Sequence, residues 1–94
     1  MAENLASILS NVIFDVYNGG IEMSCSTLKH RLAAKIKTEF PESEEVILED
    51  NLMEEITRLA NSLPDESKRV RPLLTAKIKS DDQWQAVIGR LPSV

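Results

Sequence analysis

Apolar residues recur at helical spacing in four stretches of this chain, and a proline or a glycine pair follows each stretch. The first stretch, between Leu5 and Val16, places aliphatic residues at intervals of three and four, which is the spacing of one helix face. The following Asn18-Gly19-Gly20 segment favours a helix end, because glycine adopts the left-handed cap conformation without strain. We therefore predict a helix over residues 3–18.

The second and third stretches predict two further helices. The second, over residues 28–40, ends before a proline, because proline disfavours helical geometry in the residue that precedes it. Ser24 or Ser26 can cap its N-terminus. The third, over residues 52–63, must begin after a break in the helix, because a continuous helix would place the preceding acids on its apolar face. Asn51 is expected to cap it.

The last stretch, over residues 84–91, predicts a fourth helix. Ser80 is its expected cap, because Gln83 follows at the spacing of a capping box. Three short segments are compatible with either an extended or a helical conformation, since periodicity does not separate the two over so few residues. These segments are residues 21–25, 45–48 and 72–79.

The predicted fold is all-α: a compact bundle of four main helices with one or two short helical or extended pieces. Its 94 residues suffice for one core, so we expect a single helical domain over residues 1–94. Because only 4% of the residues are aromatic, the core must be largely aliphatic. The expected core residues are Leu9, Val12, Val16, Leu32, Ile36, Ile56, Leu59, Trp84 and Ile88.

No residues have the spacing of a catalytic or cofactor site. Cys25 and His30 are separated by about 140° around a helix, so one helix would not bring a thiol and its base together. No Cys or His pair stands at zinc-ligand spacing, and three glycines do not build a phosphate-binding loop. We therefore expect a protein that is not an enzyme and that binds no metal or cofactor.

The sequence also predicts a cytoplasmic location. A lone cysteine suits a reducing compartment, and the N-terminal region lacks the basic residues of a secretory signal. Because no apolar run exceeds three residues, we expect no membrane-spanning segment.

The charged residues fall into blocks of one sign. Residues 42–55 contain seven acids and no base, and basic stretches at residues 29–37 and 68–79 flank them. Such blocks influence the choice of partner, so we predict that the acids dock on a basic surface of another protein. The alternatives are a face that is simply solvated or paired with the flanking bases, and imitation of nucleic acid. The residues predicted to bind the partner are Glu42, Glu44, Glu45, Glu49 and Asp50.

The predicted first helix has an outer face that is almost uncharged. Phe14 and Asn11 lie on it, opposite the aliphatic stripe, together with small polar residues. One interpretation is a central helix that the rest of the chain covers on both sides. The other is an interface with a second copy or a foreign partner, in which Phe14 and Asn11 bind.

As function we predict a non-enzymatic protein-interaction module, such as an inhibitor, an antitoxin or immunity-type protein, or an assembly subunit. On this hypothesis, reversing Glu44, Glu45 and Glu49 to lysine slows association without unfolding the domain. The alternative is a helical DNA- or RNA-binding regulator that contacts phosphates through its two basic stretches. Its nucleic-acid-binding residues would be Arg31, Lys35, Lys37, Lys68, Arg69 and Arg71.

Overall fold

The structure is a computed structural model that describes residues 2–42 and 46–92. Within these residues the chain forms helices and no strand, which confirms the predicted all-α bundle. The predicted helices correspond to α1, α2, α3 and α6, and two further helices, α4 and α5, lie between α3 and α6. The bounds are Ala2–Asn18 for α1, Cys25–Glu39 for α2, Asp50–Ser62 for α3, Asp65–Arg69 for α4, Arg71–Ser80 for α5 and Asp82–Gly89 for α6.

The ambiguous segments adopt two different conformations. Residues 21–24 and 46–49 have no regular secondary structure, whereas residues 72–79 lie inside α5. Pro72 stands in the first turn of α5, where a helix needs no backbone N–H and where the fixed φ of proline is favourable. The burial of Leu74 and Ile78, four residues apart, shows the helical period that the alternating sequence obscured.

The predicted helix caps are confirmed at one position and wrong at two. The Ser24 hydroxyl accepts a hydrogen bond from the Thr27 backbone N–H at 3.3 Å and caps α2. Asn51 is no cap, because α3 already begins at Asp50.

Ser80 does not cap α6 either, because α5 continues through it. The single residue between the two helices, Asp81, is the cap instead. Its carboxylate accepts hydrogen bonds from the backbone N–H groups of Gln83 at 2.8 Å and of Trp84 at 3.2 Å. One carboxylate thus satisfies two of the donors that a helix N-terminus leaves unpaired.

The core surrounds α1, which packs against α2, α4, α5 and α6. All nine residues that were expected in the core are buried. The polar face of α1 is covered too: Ser10 is fully buried, and its hydroxyl lies 2.7 Å from the Thr75 hydroxyl of α5. The near absence of charge on that face therefore reflects contact with α5 along at least part of the helix. None of the described helices is long and apolar enough to cross a membrane.

Candidate protein-interaction surfaces

The acidic segment, residues 42–50, leads from the end of α2 to the start of α3. Glu42, Glu49 and Asp50 are exposed on it, whereas Glu44 and Glu45 lie outside the described residues. The Lys29 ammonium of α2 donates a hydrogen bond to the Asp50 carboxylate at 2.8 Å. No ion pair within residues 2–42 and 46–92 engages Glu42 or Glu49. Pairing with the flanking bases therefore accounts for Asp50 but leaves these two carboxylates available.

One apolar side chain is displayed in the acidic segment. Leu48 is buried and Val46 is half-buried, while the side chain between them, Ile47, is 76% exposed. It is the most exposed large hydrophobic residue in the described part of the chain. Because Leu48 is buried in the core and Val46 packs against the core, the side chain between them is the one left in solvent. The sequence interpretation missed this residue, although apolar neighbours on both sides and nearby acids were a usable signal.

The Lys29–Asp50 pair shifts both titrations and predicts a pH dependence. The hydrogen bond and the charge of Lys29 hold the pKa of Asp50 below its ordinary 3.8, and the same contact raises the pKa of Lys29 above 10.5. The carboxylate thus stabilises the fold above pH 3.8, and this contribution is lost as the pH falls through its lowered pKa. The ammonium contribution is complete below pH 10.5 and is lost as the pH rises through the raised pKa.

We expect a double-mutant cycle of Lys29→Met and Asp50→Asn to give a favourable coupling free energy at neutral pH. The coupling should disappear well below pH 3.8, because a protonated Asp50 no longer attracts the ammonium. Urea denaturation followed by circular dichroism at both pH values measures it. A coupling of equal size in acid would contradict an ionic origin. The pair of Lys35 and Glu39, whose charged atoms are 3.9 Å apart, provides a comparison between two residues of one helix.

The neutral face of α1 is partly covered at the two residues that were predicted to bind there. Phe14 is half-buried, and the Arg71 guanidinium of α5 lies over its ring with 4.5 Å between the guanidinium carbon and the ring centroid. Arg71 also approaches Asp15 of α1, with 3.8 Å between nitrogen and carboxylate oxygen. Asn11 is half-buried and lines a shallow groove beside Phe40, near the end of α2. A partner at Phe14 would first have to displace Arg71.

The predicted nucleic-acid-binding residues have different environments. Arg31, Lys37 and Arg69 are exposed, whereas Lys35 is half-buried and Lys68 is only 6% exposed. The Lys68 ammonium lies 4.7 Å from the centroid of the Tyr17 ring and 3.6 Å from an Asp65 carboxylate oxygen. The side chain of Lys68 therefore belongs to the contact between α4 and α1, which no local sequence pattern indicated.

Some bases of the two stretches meet around Asp15. Arg31 and Lys35 line a groove of about 330 Å³ between α1 and α2, and Asp15 lines its opposite wall. Because Arg71 reaches the same carboxylate from α5, Asp15 brings bases of both stretches to one exposed edge of α1. Lys37 lies farther along α2 and lines a neighbouring groove with Val46.

A second apolar patch lies at the junction of α4 and α5. Val70 is 43% exposed and Leu73 is 50% exposed, and Pro72 and Ala76 are exposed beside them. We call Val70, Pro72, Leu73 and Ala76 the α5 patch. The sequence interpretation missed it because residues 72–79 were compatible with a strand, and a helix is needed to bring Pro72, Leu73 and Ala76 to one side.

Comparisons with known proteins add no family to these observations. A scan against protein-family models found no match, and searches of curated proteins and of solved structures found none either. Within the described part of the chain, no group of three or more His, Cys, Asp or Glu residues could hold a metal ion. The surfaces described above are therefore the basis for any functional conclusion.

Proposed function

We propose that this protein is a non-enzymatic protein-interaction module that docks its acidic segment on a basic surface of a protein partner. An inhibitor, an antitoxin or immunity-type protein and an assembly subunit all act in this way, by occluding or bridging a partner. The observation that supports the proposal most directly is Ile47, 76% exposed in a segment whose Glu42 and Glu49 are exposed as well. The half-buried lone Cys25 suits a reducing compartment, so we propose the cytoplasm as the location.

The carboxylates and the isoleucine would have separate tasks in such a complex. Exposed charges of one sign accelerate the encounter with a surface of opposite sign, but each exposed ion pair adds little to affinity. Burying an aliphatic side chain that was previously in water contributes about 1.5–3 kcal/mol. Because Leu48 is already anchored in the core, the backbone that presents Ile47 loses little conformational freedom on binding.

The face of α1 that holds Asn11 and Phe14 is a weaker candidate for the partner, whether foreign or a second copy. A partner at Phe14 would replace the contact of the Arg71 guanidinium with the ring, which contributes about 0.5–1 kcal/mol at an exposed site. Asn11 lies in a groove whose other wall is lined by Glu39 and Phe40 at the end of α2.

We propose nucleic-acid binding as the second candidate function, favoured by the bases that meet around Asp15. Arg31 and Lys35 on one side and Arg71 on the other would contact successive phosphates along the edge of α1. The Asp15 carboxylate and the net charge of −4 oppose this function, since both repel phosphate.

An affinity capture from a lysate of the source cells separates the two candidates. With nuclease treatment, we expect the wild-type protein to retain a basic protein partner, and Ile47→Ser to lose most of it because the apolar contact is gone. Reversing Glu44, Glu45 and Glu49 to lysine should slow association with that partner, measured by surface plasmon resonance, without unfolding the domain.

The matched control is Ile21→Ser, which makes the same change at another exposed isoleucine, outside the acidic segment. Capture that Ile47→Ser and Ile21→Ser reduce equally, or an association rate that the triple reversal leaves unchanged, would contradict docking through the acidic segment. Capture that nuclease abolishes would favour nucleic acid.

A further inference from the structure

The α5 patch is an exposed apolar surface at the start of α5, made by the residue before the helix and by residues of its first two turns. Leu74 and Ile78 bury the inner side of α5 in the core, whereas Leu73 on the same helix remains 50% exposed. Val70, the residue just before the helix, is 43% exposed. A solvated helix normally carries polar or charged residues on its exposed side. An apolar group of this kind on a small domain is typical of an interaction site.

Basic side chains surround the α5 patch. Lys77 and Lys79 are exposed, and the helical period places them on the two sides of Pro72, Leu73 and Ala76. Arg69, also exposed, directly precedes Val70 in the sequence. Lys77 lies 3.7 Å from the capping carboxylate of Asp81, and no ion pair between described residues engages Arg69 or Lys79. The α5 patch and its flanking bases are therefore complementary to an apolar side chain with carboxylates beside it.

The acidic segment of the same chain has this chemistry. Ile47 projects from it, and Glu42 and Glu49 are exposed near it in the sequence. Because Ile47 and Leu73 are both largely exposed, the two surfaces do not cover each other within one molecule. A second molecule can bring them together.

We propose that a second copy of this chain docks Ile47 and the nearby Glu49 on the α5 patch, with Ile47 against Leu73 and the Glu49 carboxylate among the exposed bases Arg69 and Lys79. This inference rests on the proposed function, because it identifies the basic partner surface as the chain's own. Each molecule has one surface of each kind, so the contact joins unlike surfaces and produces either a reciprocal dimer or a longer assembly. Pairing of two α5 patches is disfavoured, since it would place like charges together.

Sedimentation velocity of the purified protein tests the inference. We expect the weight-average mass to rise from the monomer value of 10.5 kDa as the concentration increases toward ~1 mM, because a contact of this size is weak. The rise should be smaller in ~500 mM than in ~20 mM salt, since exposed charges are screened. Ile47→Asp alone and Leu73→Asp alone should each remain monomeric across the series.

The decisive sample is an equimolar mixture of the two variants. Ile47→Asp keeps an intact α5 patch and Leu73→Asp keeps an intact acidic segment, so the mixture should associate again although neither variant does so alone. Ile21→Asp, which adds a carboxylate at another exposed isoleucine, should associate like the wild type. Ala76→Glu is a second α5 variant for use if circular dichroism shows that Leu73→Asp perturbs folding.

Three results would overturn the inference: a wild-type protein that stays monomeric throughout, association that survives either single variant, or a mixture that fails to restore it. The proposed function fails separately. If the protein is monomeric but Ile47→Ser abolishes capture of a basic protein from lysate, the acidic segment has a foreign partner and only the self-docking is wrong.

Discussion

Replacing Trp84 by alanine is expected to lower the free energy of unfolding by about 3–5 kcal/mol. Trp84 is 2% exposed and is the largest side chain in the core. Natural domains are stable by only ~5–15 kcal/mol, so the loss would be a large fraction of the total. Truncation removes the apolar surface that Trp84 buries and leaves a cavity that its neighbours fill only in part.

The position of Trp84 in α6 increases the expected effect. This helix has eight residues, too few to be stable without its contacts to α1, α3 and α5. Trp84 also stands in the first turn, where its backbone N–H donates to the Asp81 carboxylate at 3.2 Å. Weakening the packing of α6 therefore also removes contacts that stabilise α5, against which α6 packs.

Urea denaturation measures the loss, and far-UV circular dichroism must follow it, because the substitution removes the chain's single tryptophan. Trp84→Phe should cost less than Trp84→Ala, since it keeps an aromatic ring in the same space. The matched control is Gln83→Ala on the exposed side of the same turn, expected within about 0.5 kcal/mol of the wild type. A Trp84→Ala midpoint as close to the wild type as that of Gln83→Ala would contradict the burial of the indole.

The elements that sequence reasoning predicted correctly are those in which the local pattern and the tertiary packing agree. The stripes of α1, α2, α3 and α6 each present aliphatic residues with a clear helical period, and a glycine pair or a proline follows each of them. In α5 the residues Leu74, Ala76 and Ile78 alternate with polar ones, so the pattern alone did not decide between helix and strand. Leu74 and Ile78 are buried and Ala76 is exposed, which is the pattern of a helix rather than of a strand. Which of these residues is buried depends on the position of α1.

The errors have nonlocal causes. The cap of α6 was predicted at Ser80 because capping spacing is a local rule, and the rule does not reveal that α5 occupies Ser80. The exposure of Ile47 depends on the packing of its neighbours Val46 and Leu48 against the core, which involves residues distant in the sequence. The run of bases around Lys68 predicted, in the alternative function, a surface that contacts phosphates, and only the approach of α1 shows that Lys68 is buried.

Lys68 provides the second large prediction: Lys68→Ala is expected to destabilise the fold by about 1–3 kcal/mol. Its methylene groups are buried between α4 and α1, and its ammonium lies over the Tyr17 ring at 4.7 Å. The pair with Asp65 adds at most about 1 kcal/mol, because Asp65 is largely exposed. Lys68→Met should cost less than about 1 kcal/mol, since methionine keeps the buried stem and loses only the charge.

The comparison of Lys68 with its exposed neighbour Arg69 tests what each base does. Arg69→Met should leave the free energy of unfolding in urea within about 0.5 kcal/mol of the wild type, and Lys68→Ala should lower it clearly. Equal losses for Lys68→Ala and Lys68→Met would show that the charge over Tyr17, rather than the packed stem, stabilises α4.

If the chain binds duplex DNA at ~50 mM salt, Arg69→Met should lower the slope of log affinity against log salt concentration by about 1, and Lys68→Met should not, because a phosphate does not reach a buried ammonium. A reduced slope for Lys68→Met in a protein of unchanged stability would contradict the structural role and would return Lys68 to the nucleic-acid surface.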